Sequence, residues 1–327
     1  MKKIKNRLSF LVVVLLLSVL GIGVVNTDSS SAGGRKKVAI LKTKNLKVYN
    51  QAITAFKTNC PTFEYLDELN MKEDMGIAKD EINTINNSQP DLLLSIGTKA
   101  SMAAKSYLNS SIPMVFAVVL NPDRQGLHAE NITGVRLEIP VEVQLKTIKA
   151  LVPNIRKVGV LYNPANSKKI IDKAKSVANR LGIELLASRV ETKDDTVDAL
   201  DILESGIDAY WLIPDPTVVT REAFKMILKF TTKKNIPFFA YSKAFVKNGA
   251  LISLTIDDYS TIGQQACEVA KKILNKNIPP SQIPFQYPRG LEIAVNITMA
   301  KNLHLTSIAT NAFTFAAQNG YKISVLQ

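Results

Sequence analysis

The chain contains few of the side chains that bind metal ions or act as catalytic nucleophiles. It has two cysteines and two histidines among 327 residues, which leaves a zinc site little to draw on. It also contains no Gly-x-Ser-x-Gly motif and no Gly-x-x-x-x-Gly-Lys phosphate loop. We therefore expect a protein that is not an enzyme and that has no catalytic residues, no metal site and no cofactor.

The two cysteines, Cys60 and Cys267, lie far apart in the chain. An oxidising compartment would allow them to pair, but nothing in the sequence says whether they meet. Cys267 falls within an amphipathic helical pattern, which favours a buried thiol. We expect that free thiol rather than a disulfide.

A concentrated block of charge is also missing, although the formal net charge is +13. The bases occur singly or in pairs, such as Lys168-Lys169 and Lys233-Lys234. They form no arginine-rich block and no basic patch with interleaved aromatic residues. Dispersed bases of this kind are typical of a solvated surface, so we expect no nucleic-acid partner.

Residues 1–34 have the order of a secretory signal. Four bases within the first seven residues precede an apolar run at residues 8–25, and Ser30-Ser31-Ala32 offers a cleavage site. The apolar run is also long enough to span a bilayer, so an uncleaved anchor is the alternative. No cysteine stands near the end of the run, which excludes a lipid-modified N-terminus. We expect export to the periplasm, either as a free protein or anchored to the inner membrane.

Short apolar runs alternate with helical patterns from residue 36 onward. Runs of this kind predict strands buried on both faces at residues 38–41, 91–95, 114–118, 158–161, 206–212, 237–240 and 251–254. Apolar residues at three-to-four spacing predict helices at residues 47–58, 72–87, 98–108, 141–151, 167–181, 217–234 and 260–274.

The strand–helix pattern begins again near residue 156, which indicates two α/β lobes, each a doubly wound (Rossmann-like) sheet. Sheets of this type bind ligands beyond the carboxyl ends of their strands. Two such sheets that face each other make a cleft, and we expect the binding site there.

Short motifs with a recognisable order support a more specific assignment. They include Ile96-Gly97-Thr98, Asn121-Pro122-Asp123, the run from Gly159 to Pro164, Pro214-Asp215 and the run from Ile293 to Ala300. In this order and spacing they resemble the family of ABC transporter substrate-binding proteins that includes tryptophan-binding and related lipoproteins. The similarity covers about residues 36–305. It implies a periplasmic-binding-protein type I-like fold with several hinge crossings. It also implies delivery of a small solute, in some members an aromatic amino acid, to a membrane permease.

Two positions depart from the pattern of that family. Tyr241-Ser242-Lys243 stands where amino-acid-binding relatives often carry an acidic residue, and Pro216 replaces a polar residue often seen after the aspartate. These changes bear on the identity of the solute and leave the binding role in place.

The resemblance also suggests how the chain divides between the lobes. We expect lobe 1 to comprise residues 35–137 and about 258–285, and lobe 2 to comprise residues 138–257 and about 286–305. Residues 306–327 lie outside the resemblance and are expected to form a C-terminal tail.

In lobe 1, two loops at strand ends supply candidate ligand-binding residues. Gly97 allows close backbone approach, and Thr98 places a hydroxyl beside the N–H groups of a helix N-terminus, which suit a carboxylate. The alternative for Thr98 is a simple helix cap. Asn121 follows the next strand along the chain, and its alternative is a polar turn.

In lobe 2, Asp215 is the strongest single candidate, because a carboxylate there can hold an ammonium group through charge-assisted hydrogen bonds. Its alternative is to cap the following helix. Tyr162 can stack on an apolar part of the solute, while Asn163 and Ser167 can donate hydrogen bonds, with capping again the alternative for Ser167.

Tyr241 and Ser242 end the next strand and suit the rim or floor of the same cleft. The sequence as a whole therefore predicts a monomeric, extracytoplasmic binding protein of an ABC importer that closes on a small solute, such as an amino acid or related zwitterion. The alternative is a membrane-anchored sensor that uses the same cleft to signal to a partner protein. The effector domain of a transcription regulator would need a helix-turn-helix where the export signal stands.

Overall fold

The computed structural model describes residues 34–204 and 206–326. The expected export signal or anchor, with its cleavage site, lies outside these residues. Within them, no helix combines the length and the apolar composition that crossing a membrane requires.

The helices and strands take their places in chain order. They are β1 (Lys37–Lys42), α1 (Lys47–Asn59), β2 (Glu64–Asn70), α2 (Met75–Ser88), β3 (Leu92–Ile96), α3 (Thr98–Tyr107), β4 (Met114–Val119), β5 (Ile132–Arg136), α4 (Val141–Leu151), β6 (Lys157–Tyr162), α5 (Pro164–Arg180), β7 (Glu184–Arg189), α6 (Thr196–Leu203), β8 (Ala209–Trp211), α7 (Arg221–Lys233), β9 (Phe238–Ala240), α8 (Lys243–Lys247), β10 (Ile252–Ile256), α9 (Ser260–Lys276), β11 (Leu291–Asn296), α10 (Ile297–Asn302), α11 (Ile308–Asn319) and β12 (Lys322–Leu326).

Lobe 1 is built on a parallel sheet with strand order β2-β1-β3-β4-β5. Neighbouring residues of β1 point to opposite faces and enter two separate cores: Val38 and Ile40 pack beneath α1 and α9, whereas Ala39 and Leu41 pack with α2 and α3. Both faces of the sheet are thus covered, which explains why β1, β3 and β4 are continuous apolar runs.

Lobe 2 is built on a sheet with strand order β12-β11-β10-β9-β8-β6-β7. Neighbouring strands pair in parallel except for β10 and β11, so β11 and β12 run opposite to the other strands of the sheet. Residues of β6 again alternate between two cores, with Val158 and Val160 on one face and Leu161 on the other. Together the two sheets confirm the predicted fold class of two doubly wound α/β lobes.

The chain passes between the lobes at residues 137–140, 257–259 and 287–290. The first passage leads from β5 to α4, the second from β10 to α9, and the third from the last segment of lobe 1 to β11. Gln286 still belongs to lobe 1, where it bridges to Val135 on the free edge of β5. The hinge therefore has several crossings, as expected for a type I-like fold.

The C-terminal residues do not form the tail that the sequence suggested. Residues 306–326 contain α11 and β12, and β12 adds a parallel strand to the edge of β11. Helix α11 buries Ile308, Ala312 and Ala316 in the lobe 2 core, and the Asn311 side chain donates to the Leu151 carbonyl oxygen at 3.0 Å. The small apolar residues on one face of α11 supply the burial that holds this segment.

The prediction of a free, buried thiol at Cys267 is wrong, because Cys60 and Cys267 form a disulfide. Cys60 directly follows α1, and Cys267 lies in α9, which packs along α1. The helices approach closely at Gly263, where a Cβ atom would lie 2.0 Å from the Ala52 carbonyl oxygen. This close packing, which no sequence period reveals, brings the two sulfur atoms together.

Candidate functional site

A cleft of about 840 Å³ lies between the two lobes, within the size range of small-molecule sites. Its walls come from the loop after β4, the first crossing, the start of α4, the first half of α5 and the ends of β8, β9 and β10. Both lobes therefore contribute to the cavity, so a small molecule in it would touch both at once.

The position of the cleft follows from the sheet topology. In lobe 1, the loop after β4 carries Asn121, and in lobe 2 the segments after β8 and β9 carry Pro214 and Tyr241. Loops at the carboxyl ends of parallel strands collect at one edge of a sheet. Because the two sheets turn these edges toward each other, the polar residues of both loop sets face one cavity.

Aromatic side chains form much of the wall. Tyr241, Tyr259 and Tyr287 line the cleft together with Trp211, whose indole Nε1 donates to Gln144 Oε1 at 3.0 Å. Burial raises the pKa of Tyr241 to about 12, so its phenol is neutral at physiological pH. Such surfaces suit a flat or aromatic part of a solute.

Arg136 is a cation of the cleft lining that several protein groups hold in place. Its Nη2 donates to Asp123 Oδ2 at 3.0 Å, and its guanidinium carbon lies 4.8 Å from the centre of the Tyr287 ring. The side chain is 13% exposed. Arg136 is thus clamped between a carboxylate and an aromatic face, and its Nε has no hydrogen-bond partner among the described residues.

Glu138 lines the same cleft from the first crossing. Its Oε2 atom is buried and accepts no hydrogen bond within residues 34–204 and 206–326. Burial raises the pKa of the Glu138 carboxyl, although the backbone N–H groups of Glu138 and Asn121 and the charge of Arg136 oppose this effect. The cleft therefore contains one acid that is only partly compensated.

The two lobes touch across the mouth of the cleft. Arg124 Nη2, in the loop after β4, donates to Asn166 Oδ1 on α5 at 3.2 Å. Lys168, Lys169 and Lys173 extend from the same helix along the lobe 2 side. The rim is therefore basic, while Glu138 lies farther in, where its carboxylate is shielded from solvent.

Asp215 is placed differently from what its predicted ligand role requires. It is fully buried, and its carboxylate accepts hydrogen bonds from the Asn163 N–H at 2.8 Å, from Asn166 Nδ2 at 3.2 Å and from the Thr217 N–H at 3.0 Å. With these donors in place, the carboxylate ties the loop after β8 to the start of α5. This arrangement favours the capping alternative and positions the Asn166 side chain toward lobe 1.

The other lobe 2 candidates near β6 also have structural partners. Tyr162 and Ser167 are buried, and Tyr162 packs in the lobe 2 core. Asn163 caps α5, where its Oδ1 accepts from the Ala165 N–H at 2.9 Å. None of the three is among the residues that line the cleft; the lining begins with the next turn, at Pro164 and Asn166.

In lobe 1, Gly97 and Thr98 lie at the start of α3 and outside the cleft lining. Gly97 has φ = 90°, and a Cβ atom there would lie 2.7 Å from the Tyr49 hydroxyl. The Ala100 N–H at the helix start donates to Thr43 Oγ1 at 3.0 Å. This part of the helix N-terminus is therefore packed against protein groups.

Of the predicted residues, Asn121, Tyr241 and Ser242 line the cleft. Sequence reasoning missed Arg136, Glu138 and Tyr287, which lie on or beside the crossings rather than at the ends of strands recognised from the sequence. The available signal was an acid two residues before Pro140, in the segment between the two predicted series of strands.

Comparison with known proteins agrees with this architecture. A family model described as ABC transporter substrate binding protein matches residues 62–316. The chain is 25% identical over 326 residues to a tyrosine-binding protein of Clostridioides difficile (strain R20291), covering 91% of this chain and 93% of the relative. It is 26% identical over 231 residues to an uncharacterized protein, RP367, of Rickettsia prowazekii (strain Madrid E), covering 70% and 72%.

Solved structures share the fold. A ligand-free, open substrate-binding protein with adhesive properties from Clostridium difficile superposes with a TM-score of 0.73 at 22% identity, covering 89% of this chain and all of that one. An ABC domain in complex with L-Trp from Streptococcus pneumonia superposes with a TM-score of 0.57 at 21% identity, covering 88% of this chain and all of that one.

Proposed function

The chain belongs to the family of ABC transporter substrate-binding proteins, and from this premise we propose that it binds an amino acid with an aromatic side chain outside the cytoplasm and delivers it to a membrane permease. It acts as a monomer that closes its two lobes on the solute. The observation that carries the proposal is the cleft between the lobes, whose wall combines tyrosines with the clamped Arg136 and with Glu138, whose buried carboxylate oxygen has no hydrogen-bond partner among the described residues.

Closure follows from the placement of the site. A solute that contacts both lobes stabilises the closed state by the difference between its affinities for the closed and open forms. The crossings at residues 137–140, 257–259 and 287–290 are the segments whose backbone angles must change. Arg124 and Asn166 already touch across the mouth, so this contact can secure the closed form without occupying the centre of the cleft.

The aromatic part of the solute is assigned to the tyrosine wall. Tyr241 directly follows β9 of lobe 2, Tyr287 lies at the third crossing, and both line the cleft, where Tyr287 is 39% exposed. Two relatives point the same way, since one is described as tyrosine-binding and another was solved with L-Trp. Relatives often carry an acid where this chain has Tyr241-Ser242-Lys243. In this chain Glu138, on a different segment, supplies an acid to the same cavity.

The test is calorimetric titration of the protein with L-tyrosine, L-tryptophan, L-leucine and L-glutamate, followed by thermal melting with each. We expect binding of an aromatic amino acid, with stabilisation that grows as RT ln(1 + [L]/Kd), about 2.7 kcal/mol at a hundredfold excess over Kd. Small-angle scattering of the complex should show a smaller radius of gyration, because the lobes close.

A matched pair of variants separates the cleft from general surface effects. Tyr287→Ala removes a cleft ring and should weaken binding about tenfold, whereas Tyr107→Ala removes a ring of the same 39% exposure at the far end of α3 and should leave Kd unchanged. Absence of heat and of any melting shift with all four amino acids would overturn the proposal.

A further inference from the structure

Arg136 and Glu138 are placed to act together. Arg136 ends β5, and the next backbone N–H, of Leu137, donates to the Val119 carbonyl oxygen at 2.8 Å. The chain therefore continues in extended form alongside β4 to the first crossing. In an extended chain, residues two apart point to the same side, and both side chains line the cleft.

Glu138 has an unused acceptor. Its Oε2 atom is buried and accepts no hydrogen bond from any described residue. No lysine, arginine or histidine among those residues forms an ion pair with its carboxylate within 4.0 Å. Burial of a carboxylate oxygen without a partner is costly. A cationic group of a bound molecule would remove that cost, which is the signature of a site built for a ligand rather than for the empty protein.

Arg136 has an unused donor. Its Nη2 donates to Asp123, its Nη1 lies 3.5 Å from the Tyr287 hydroxyl, and its guanidinium carbon lies 4.8 Å from the centre of the Tyr287 ring. These contacts fix the guanidinium, while Nε remains buried and without a hydrogen-bond partner among the described residues. A carboxylate is the ligand group that an arginine N–H binds best.

We infer that Arg136 and Glu138 recognise the two charged ends of a zwitterionic solute, with Glu138 accepting from the ammonium group and Arg136 Nε donating to the carboxylate. This inference rests on the proposed function and deepens it, since it assigns the specificity for a free α-amino acid to two residues of the first crossing. It also moves the ammonium site from the predicted Asp215, whose acceptors are occupied by Asn163, Asn166 and Thr217, to Glu138.

The position on the crossing gives the pair a second property. Residues 137–140 must change their backbone angles when the lobes rotate, and Asn121 in lobe 1 donates its N–H toward the Glu138 carboxylate. Glu138 thus lies within a segment whose backbone must move when the cleft closes, so binding of an ammonium group there can affect closure directly. A solute that lacks the ammonium group should therefore bind more weakly and close the lobes less completely.

The test compares three probes on wild type and two variants: L-tyrosine, tyramine, which lacks the carboxylate, and 3-(4-hydroxyphenyl)propionate, which lacks the ammonium group. Glu138→Gln should raise the Kd for L-tyrosine about 10- to 100-fold, the loss of one charge-assisted hydrogen bond. Arg136→Met should do the same. Glu130→Gln, an exposed acid of lobe 1 outside the cleft, is the control and should bind like wild type.

The probes separate the two roles. Glu138→Gln should reduce binding of tyramine and leave the propionate unaffected, while Arg136→Met should do the reverse. Glu138→Gln keeps the size of the side chain, and its circular dichroism and melting curve establish that it folds.

If wild type binds L-tyrosine or L-tryptophan and Glu138→Gln binds within twofold of it, the inference is overturned and the proposed function stands. If wild type binds no amino acid, the proposed function fails and the inference falls with it.

Discussion

Lobe 1 and lobe 2 are each completed by a segment that returns from elsewhere in the chain, and they secure that segment by different chemistry. In lobe 1 the returning segment is α9, which the Cys60–Cys267 disulfide joins to the end of α1. In lobe 2 it is the segment from β11 to β12, which follows the third crossing. There Lys243 Nζ on α8 lies 2.7 Å from Glu292 Oε1 on β11 and 2.6 Å from Ser324 Oγ on β12.

Because the two lobes are secured by different chemistry, different changes should destabilise them. A disulfide acts mainly on the unfolded chain, is insensitive to salt and exists only under oxidising conditions. The Lys243–Glu292 pair is indifferent to redox conditions, but Glu292 is almost fully buried. Loss of Lys243 therefore leaves a buried carboxylate without its cation, although the Ser324 hydroxyl still donates to it. Reductant should therefore act on lobe 1, and a charge-removing substitution at residue 243 should act on lobe 2.

The largest expected effect comes from replacing both cysteines by serine. The Cys60→Ser, Cys267→Ser variant should lose about 3–5 kcal/mol of unfolding free energy, since the closed loop spans most of the folded chain. Far-UV circular dichroism should show lobe 1 melting first. Fluorescence of Trp211, the one tryptophan in the sequence and part of the lobe 2 core, should report a later transition. Coincident transitions would show that the lobes do not differ in this way.

A smaller effect is expected in lobe 2. Lys243→Met keeps the aliphatic stem but removes the charge beside Glu292, and it should cost about 2–3 kcal/mol because the buried carboxylate loses its cation. The Trp211 transition should now shift, with or without reductant. Lys247→Met, an exposed base in the last turn of the same helix, is the control. An equal shift in both variants would rule out the buried pair as the cause.

The smallest effect is expected at the first crossing between the lobes. Burial raises the pKa of Glu138, so its ionisation opposes folding above the unfolded-state pKa of about 4.3. Glu138→Gln should thus stabilise the ligand-free protein by about 1 kcal/mol at pH 7. The gain should shrink as pH falls through the raised pKa and vanish below about pH 4.

Urea denaturation of wild type and Glu138→Gln at pH 4 and pH 7 measures this effect. Arg136 and Asp123 are the charged groups that act on Glu138, so both are left unchanged. Glu130→Gln, which neutralises an exposed acid of lobe 1 outside the cleft, is the control for the loss of one negative charge. A Glu138→Gln variant less stable than wild type at pH 7 would mean that the carboxylate is compensated in the empty protein.

Much of the fold could be predicted from the sequence, because buried parallel strands leave continuous apolar runs. All seven predicted strands are present, as β1, β3, β4, β6, β8, β9 and β10. The edge strands β2, β7 and β12 escaped prediction, since they are half exposed and mix polar with apolar residues. Strand β11 was recognised only through the motif that runs from Ile293 to Ala300.

The site was harder to predict than the fold. Residues at the ends of recognised strands could be proposed, and Asn121, Tyr241 and Ser242 do line the cleft. The sequence could not show which polar side chains already have hydrogen-bond partners within the protein. Asp215 and Glu138 are both acids near a helix start, but two of the three partners of Asp215 come from residues 163 and 166, far from it in the chain.

The return of α9 to lobe 1 has a consequence for how the protein is made. A chain that emerges from its N-terminus presents β1 to β5 first, but the core beneath them also requires Ile262, Ala266 and Val269 of α9. These residues appear only after β6 to β10 of lobe 2. The lobe that begins first therefore cannot be finished until most of the other has been synthesised. With two cysteines in the whole sequence, the first intramolecular disulfide to form is the native one, and no reshuffling is required.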